Sequence, residues 1–166
     1  MGVAYMTLAV GGKMDAVESM VPYLKRAMQE TEGVQDEELQ AKRLDLEVEH
    51  ALLVEKDKPK AVSLKRSSMP EGWMEQAKEL NAFAWWCFEN EINLEEAEQL
   101  ARKGAELAGD GKTKAMILDT VAEICNLRGS CKDAVYFIEL AIEADPESTY
   151  YPKQLERFQK LLAEQK

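Results

Sequence analysis

Three cysteine thiols, one histidine and 31 carboxylates are the side chains of this chain with obvious chemistry, and their spacing decides what they can do. Cys87, Cys125 and Cys131 are an odd number with no C-x-x-C, which reads as reduced thiols of a cytoplasmic protein. Cys87 and Cys125 stand at matching places in a repeat, where a small buried hydrophobe is expected, a role that free cysteine fills well. Cys131 follows Ser130 at a predicted helix start, where the helix dipole lowers a thiol's pKa; it is the one nucleophile the sequence leaves open. With His50 alone, no zinc pattern and no Ser-His-Asp or Cys-His arrangement can be assembled, and His50 is expected as a partly exposed helix residue. The acidic groups Asp36-Glu37-Glu38 and Glu95-Glu96 with Glu98 fall in or beside first helical turns, where negative charge meets the positive end of the dipole. Gly109-Asp110-Gly111 follows no strand, so it predicts a link between helices and not a phosphate cradle. No catalytic residue, metal ligand or cofactor is expected.

Composition narrows the classes further. At 166 residues and 18.8 kDa the chain suits one domain that buries roughly two-thirds of its unfolded surface. A hydrophobic share of 46% with 31% charged residues describes neither a disordered nor a membrane-embedded chain. The net charge of −10 argues against nucleic acid as a partner. No run approaches the ~20 apolar residues of a membrane span. The stretch from Val3 to Val10 is short, lacks a basic region and is followed by Gly11-Gly12, unlike a secretory leader. Gly2 has Met6 where a myristoylation signal needs Ser or Thr. A cytoplasmic location is the expectation.

Hydrophobic periodicity is helical almost throughout. Strand signals are missing, and breakers divide the chain into patches of about 10 to 20 residues. From Asp36 to Lys56, Leu39, Arg43, Leu46 and Leu53 lie near one face, which predicts a half-buried amphipathic helix. Ser68-Met69-Pro70-Glu71 has the form of a capped helix start. Eight or nine helices joined by short turns make an all-α array of antiparallel neighbours.

An internal repeat organises the second half. Leu80, Ala84 and Cys87 recur as Leu118, Ala122 and Cys125, each 38 residues on. Asn93-Leu94-Glu95-Glu96 and Ser130-Cys131-Lys132-Asp133 are matching helix starts, each predicting a capping box. Behind them Ala97, Ala101 and Gly104 match Ala134, Ile138 and Ala141 at an offset of 37, which places one extra residue in the first turn, near Asn90 to Asn93. Small residues let paired helices approach, and Leu80, Phe83, Leu118, Val121 and Ile138 fill the gaps between them. A period near 37 built from two helices is the signature of a helical-hairpin solenoid. Thr149 to Lys166 carries Tyr150, Leu155, Phe158, Leu161 and Leu162 at helical spacing, with Pro152 in the first turn, and predicts a C-terminal cap helix.

The stretch from Leu118 to Pro146 resembles a tetratricopeptide repeat. Leu118, Val121 and Ala122 match the family's helix-A core, Gly129 its turn, and Ala134, Ile138, Ala141 and Pro146 its helix B. Leu80 to Ala108 is similar, with Gly104 where Ala is usual and no closing proline. Gly11 to Tyr23 and Leu46 to Leu64 resemble degenerate hairpins around Ala16 and Ala61. The likeness implies a single right-handed array over residues 1–166: degenerate hairpins over 1–69, repeats over 70–109 and 111–146, and a cap helix over 148–166.

The same resemblance implies where a ligand binds. The inner faces of the A helices line a concave groove, here Lys78, Asn81, Trp85 and Phe88 from one hairpin and Asp119, Glu123 and Asn126 from the next. Trp85 offers an aromatic platform, and at least one of Trp85 and Trp86 is expected to be buried, since neighbours on a helix point about 100° apart. The family's clamp for C-terminal carboxylates uses Lys, Arg and Asn in this face. Asp119 and Glu123 stand here instead, so the implied role is a non-catalytic adaptor for a basic or arginine-containing protein or peptide. Two other roles stand beside it. Leu80-Asn81-Ala82-Phe83-Ala84-Trp85 with Ile117-Leu118-Asp119-Thr120-Val121-Ala122 is similar to the tetratricopeptide tails of some bacterial thioredoxin-like proteins, which implies an accessory helical part of a redox system. Self-assembly by end-to-end stacking follows from the one-dimensional architecture.

Overall fold

The computed structural model describes residues 15–109 and 111–164. Among them all regular structure is helical, and the chain divides into two compact units, Met1–Ser68 and Met69–Lys166.

In the first unit α1 spans Asp15–Glu30, α2 Glu37–His50 and α3 Lys58–Ser67. Two aspartates start the later helices: Asp36 Oδ1 accepts from Leu39 N and Asp57 Oδ1 from Lys60 N, both at 3.0 Å. Between them α2 widens into a π turn, Ala51–Glu55, which Lys56 closes in the left-handed conformation (φ 56°). Leu24, Leu46, Val48, Ala51 and Ala61 form the core. Arg43 is half-buried because its guanidinium donates to Met28 O and Thr31 Oγ1, both at 2.6 Å, tying α2 to the end of α1. Leu39, expected on the same half-buried face, is exposed. Ala61 is fully buried; Gly11 to Met14 lie outside the described residues, as do the side chain of Ala16 and the residues Val3 to Val10.

The second unit holds the repeat. A 3₁₀ turn, Trp73–Glu75, precedes α4 (Ala77–Glu89), α5 (Leu94–Leu107), α6 (Lys112–Leu127), α7 (Cys131–Ala144) and α8 (Tyr151–Glu164). Each helix packs on the next, and α4 also packs on α6. The repeat's small residues Ala84, Ala97, Ala122, Ala134 and Ala141 are fully buried, among Leu80, Phe83, Ile117, Val121 and Ile138. Gly104 departs from alanine for a steric reason. A Cβ there would lie 3.1 Å from the Ala77 carbonyl oxygen and 3.4 Å from Leu80 Cβ, so α5 crosses the start of α4 more closely than alanine comfortably permits.

The two repeat turns are built alike. Ile92 N bonds to Cys87 O at 3.0 Å and Ser130 N to Cys125 O at 2.8 Å, the same six-residue closure of a helix end. The residue before each donor is left-handed, Glu91 in one and Gly129 in the other. The residue that follows Ile92 and has no counterpart after Ser130 is Asn93, also left-handed at φ 50°. This is the extra residue that the drop in offset implies.

Two local expectations change. The side chains of Asn93 and Ser130 do not bond the backbone N–H groups of their helices; Asn93 Nδ2 donates to Glu96 Oε2 at 2.5 Å and Ser130 Oγ to Asp133 Oδ2 at 2.6 Å. Neither residue has the extended backbone that aims a cap side chain at those groups. Ser68 ends α3, with Oγ donating to Lys65 O at 2.8 Å, and the next α-helix starts at Ala77 after the 3₁₀ turn. Met69, Pro70 and Glu71 are therefore connection. The cap helix appears with Pro152 in its first turn, Phe158 fully buried and Tyr151 buried.

Candidate binding face

On α4 the four predicted contact residues share one face. Lys78 is exposed, Trp85 and Phe88 are half-buried with ring centroids 4.9 Å apart, and Asn81 is buried. Trp86 turns the other way, to Phe83 (6.1 Å), which in turn meets Trp73 (5.2 Å). Both tryptophans are thus half-buried, one in the aromatic core and one beside the partly open Phe88.

On α6 the open acidic groove is corrected. Asp119 and Glu123 retain only 9% and 8% of their exposure, and Asn126 alone of the three is half-open, accepting a weak bond from Cys131 Sγ at 3.4 Å. The physical reason is α8. Arg157 reaches Glu123 as an ion pair, and Tyr150, just ahead of α8, acts on the Asp119 carboxyl. Tyr150, Gln154 and Arg157 are four and three residues apart, so they line one face of the chain entering α8, against Asp119 and Glu123 one turn apart on α6. Arg157 is steadied by its own neighbour, its guanidinium 4.4 Å from the Phe158 ring. Gln154 and Arg157 were not among the residues read from the sequence, and Tyr150 entered it only as an apolar position of the cap helix. The signal was their spacing on the predicted cap helix, opposite a carboxylate pair.

The seam between α6 and α8 is electrostatically uneven. Two buried carboxylates face one guanidinium. Burial and then the Glu123 charge push the Asp119 carboxyl up to about 6, against the opposing pull of the Tyr150 bond and Arg157. Burial and the Asp119 charge raise both Tyr150 and Tyr151 above the usual phenol range. Among the described residues three buried oxygens have no hydrogen-bond partner: Asp119 Oδ1 on α6, Gln154 Oε1 on α8, and Asn81 Oδ1 at the same repeat position as Asp119 on the adjoining α4. An oxygen of this kind forfeits the hydration it would have in water.

The remaining candidates resolve as structure. All three cysteines are buried, and burial with the Glu98 charge pushes Cys125 up to about 12. Cys131 is 3% exposed, so its place at a helix start does not present it to a reagent. Glu98 joins Arg102 on its own helix and Arg128 beyond α6, holding α5 to the second turn. His50 is half-buried with Nδ1 3.3 Å from Glu55, which also holds Lys60 at 2.6 Å. Among the described residues no group of three or more His, Cys, Asp or Glu side chains could hold a metal ion, and no helix is long and apolar enough to cross a membrane.

Compared with known proteins, the chain matches no family model, and no curated protein or solved structure matches it.

Proposed function

We propose that residues 69–166 are a tetratricopeptide-like array that acts as a non-catalytic adaptor, holding a basic protein or peptide on the face shared by α4 and α6. The observation that carries this reading is the half-open Trp85–Phe88 pair flanked by exposed Lys78, with half-open Asn126 on the neighbouring A-type helix. Serial packing of α4 to α8, with α4 also on α6, supports the array, because stacked hairpins bring each first helix against the next first helix. Buried small residues at both repeat positions support the same arrangement. An amphipathic aromatic platform adapts to a peptide at low entropic cost, and the charge of −10 favours a cationic partner.

The test uses the full chain as bait, with a Trp85→Ala/Phe88→Ala variant whose helicity is checked by circular dichroism. A basic partner retained by the parent chain, released at high salt and missed by the variant is the expected result. Retention unchanged in the variant overturns this face as the binding site. Recovery of only the chain itself, indifferent to salt, overturns the adaptor in favour of self-assembly.

A further inference from the structure

The open side of α4 ends in negative charge beside its aromatic pair. Lys78, Ala82, Trp85 and Glu89 follow one another at helical spacing, so they form one stripe, of which Lys78, Ala82 and Glu89 are exposed. Trp85 is half-buried, its ring centroid 4.9 Å from that of the half-buried Phe88. Glu89 is the last residue of α4, and the final turn of that helix holds no basic residue. Its carboxylate therefore stands at the negative end of the helix dipole, where a cation is favoured and an anion is not. Glu91 follows two residues on, in the left-handed conformation at φ 50°. The Cα–Cβ bond of a helical residue tilts toward the N-terminus, which carries the Glu89 side chain back toward Trp85.

We propose that this end of α4 receives one arginine of the bound partner, its guanidinium stacked on the Trp85–Phe88 pair and its N–H groups donating to the Glu89 carboxylate. The inference rests on the adaptor reading above and names the side chain that makes the partner's contact. Arginine fits better than lysine because a planar guanidinium can cover an aromatic ring while its in-plane N–H groups bond a carboxylate, whereas an ammonium is a point charge that holds its water more tightly. Residues four apart on a helix have Cβ atoms about 6 Å from each other, so a single guanidinium spans Trp85 and Glu89. Lys78 does not oppose it: eleven residues before Glu89, it lies about 16 Å away along the axis, beyond a screening length of about 8 Å. Its charge instead disfavours a cation at the start of the stripe, which directs the arginine to the Glu89 end. The net charge of −10 draws such a side chain to the surface.

The experiment is a nuclear magnetic resonance titration of the full, isotope-labelled chain with Nα-acetyl-arginine amide, beside Nα-acetyl-lysine amide and the neutral isostere Nα-acetyl-citrulline amide. Saturable shifts of the Trp85 indole N–H and the Phe88 ring are expected with the arginine compound, with weaker binding of lysine and no response to citrulline. Glu89→Gln, at an exposed position, should weaken arginine binding about fivefold. Glu139→Gln removes the same charge from the exposed side of α7 and should leave arginine binding unchanged. No saturable shift with arginine, equal binding of lysine or citrulline, arginine binding unchanged in Glu89→Gln, or an equal loss in Glu139→Gln would each overturn the anchor. Partner capture that needs Trp85 and Phe88 but is untouched by Glu89→Gln overturns the anchor and leaves the adaptor standing.

Discussion

Arg157 on α8 pairs with Glu123 on α6, 34 residues earlier in the chain, and the pair closes over a helix face that would otherwise be open. α8 is therefore more than a polar last helix. It supplies the cation that makes a buried glutamate tolerable beside a buried aspartate, and it decides which part of the α6 face stays open to solvent.

Removing that cation leaves Glu123 with an unpaired, mostly buried charge next to Asp119. Arg157→Met should lower stability by about 2 kcal/mol, less than a fully buried pair would lose because the guanidinium is 45% exposed. Glu123→Gln should cost less, and the double variant should recover part of the Arg157→Met loss. Urea unfolding of the four chains measures this cycle; additive losses would mean that the pair contributes no coupling.

Stability should fall as pH rises through the range where Asp119 ionises. Its carboxyl is raised in the folded chain to about 6 from an ordinary value of 3.8, so the native state binds the proton more tightly than the unfolded state does. The contribution is fully present below about pH 4, is lost progressively between about 4 and 6, and is absent above, amounting to about 2–3 kcal/mol. Asp119→Asn should accordingly stabilise the chain at pH 7.5 and leave it nearly unchanged at pH 3.5. Thermal melts at both pH values check the sign, and equal effects at the two would contradict it.

Gly129 ends α6 at φ 84°, and a Cβ there would meet nothing within 4 Å. The cost of Gly129→Ala is therefore backbone strain alone, about 1 kcal/mol, and Gly129→Asn should cost less because asparagine tolerates the left-handed region. Chemical denaturation resolves the two. Equal losses would point to a side-chain clash, which the open surroundings exclude.

The thiols should be silent in the native chain. Cys87, Cys125 and Cys131 are buried, and Cys125 is pushed up to about 12, so a disulfide reagent such as DTNB should react with them only on unfolding. Fast labelling of Cys131 in the folded chain would restore the reactive thiol that its place after Ser130 suggested.

Much of the second unit was legible in the order of its residues. The offset of 38, its drop to 37, and the small residues on each helix locate α4 to α7, because helical period and steric size are local properties. Counting places the extra residue near Asn90 to Asn93, and the matching turn bonds of Ile92 and Ser130 identify it as Asn93. The capping boxes were not borne out. Their residue types were right, but the bond depends on a backbone conformation that the turn imposes, and both turns hold the cap residue outside the extended region. Ser68 was likewise read as a start and is an end, since the same side chain can serve either terminus and only the neighbouring chain direction selects one.

The binding face divides in the same way. The sequence by itself determined that Lys78, Asn81, Trp85 and Phe88 share one helix face and that Asp119, Glu123 and Asn126 share another, because side-chain direction in a helix repeats every 3.6 residues. Only the tertiary structure decided that Asp119 and Glu123 are covered, Trp85 half-open and Asn81 unpartnered. Burial is a property of what arrives from elsewhere in the chain. Here it is Arg157, 34 residues past Glu123, together with Tyr150, 31 past Asp119, that turns an acidic surface into a covered seam.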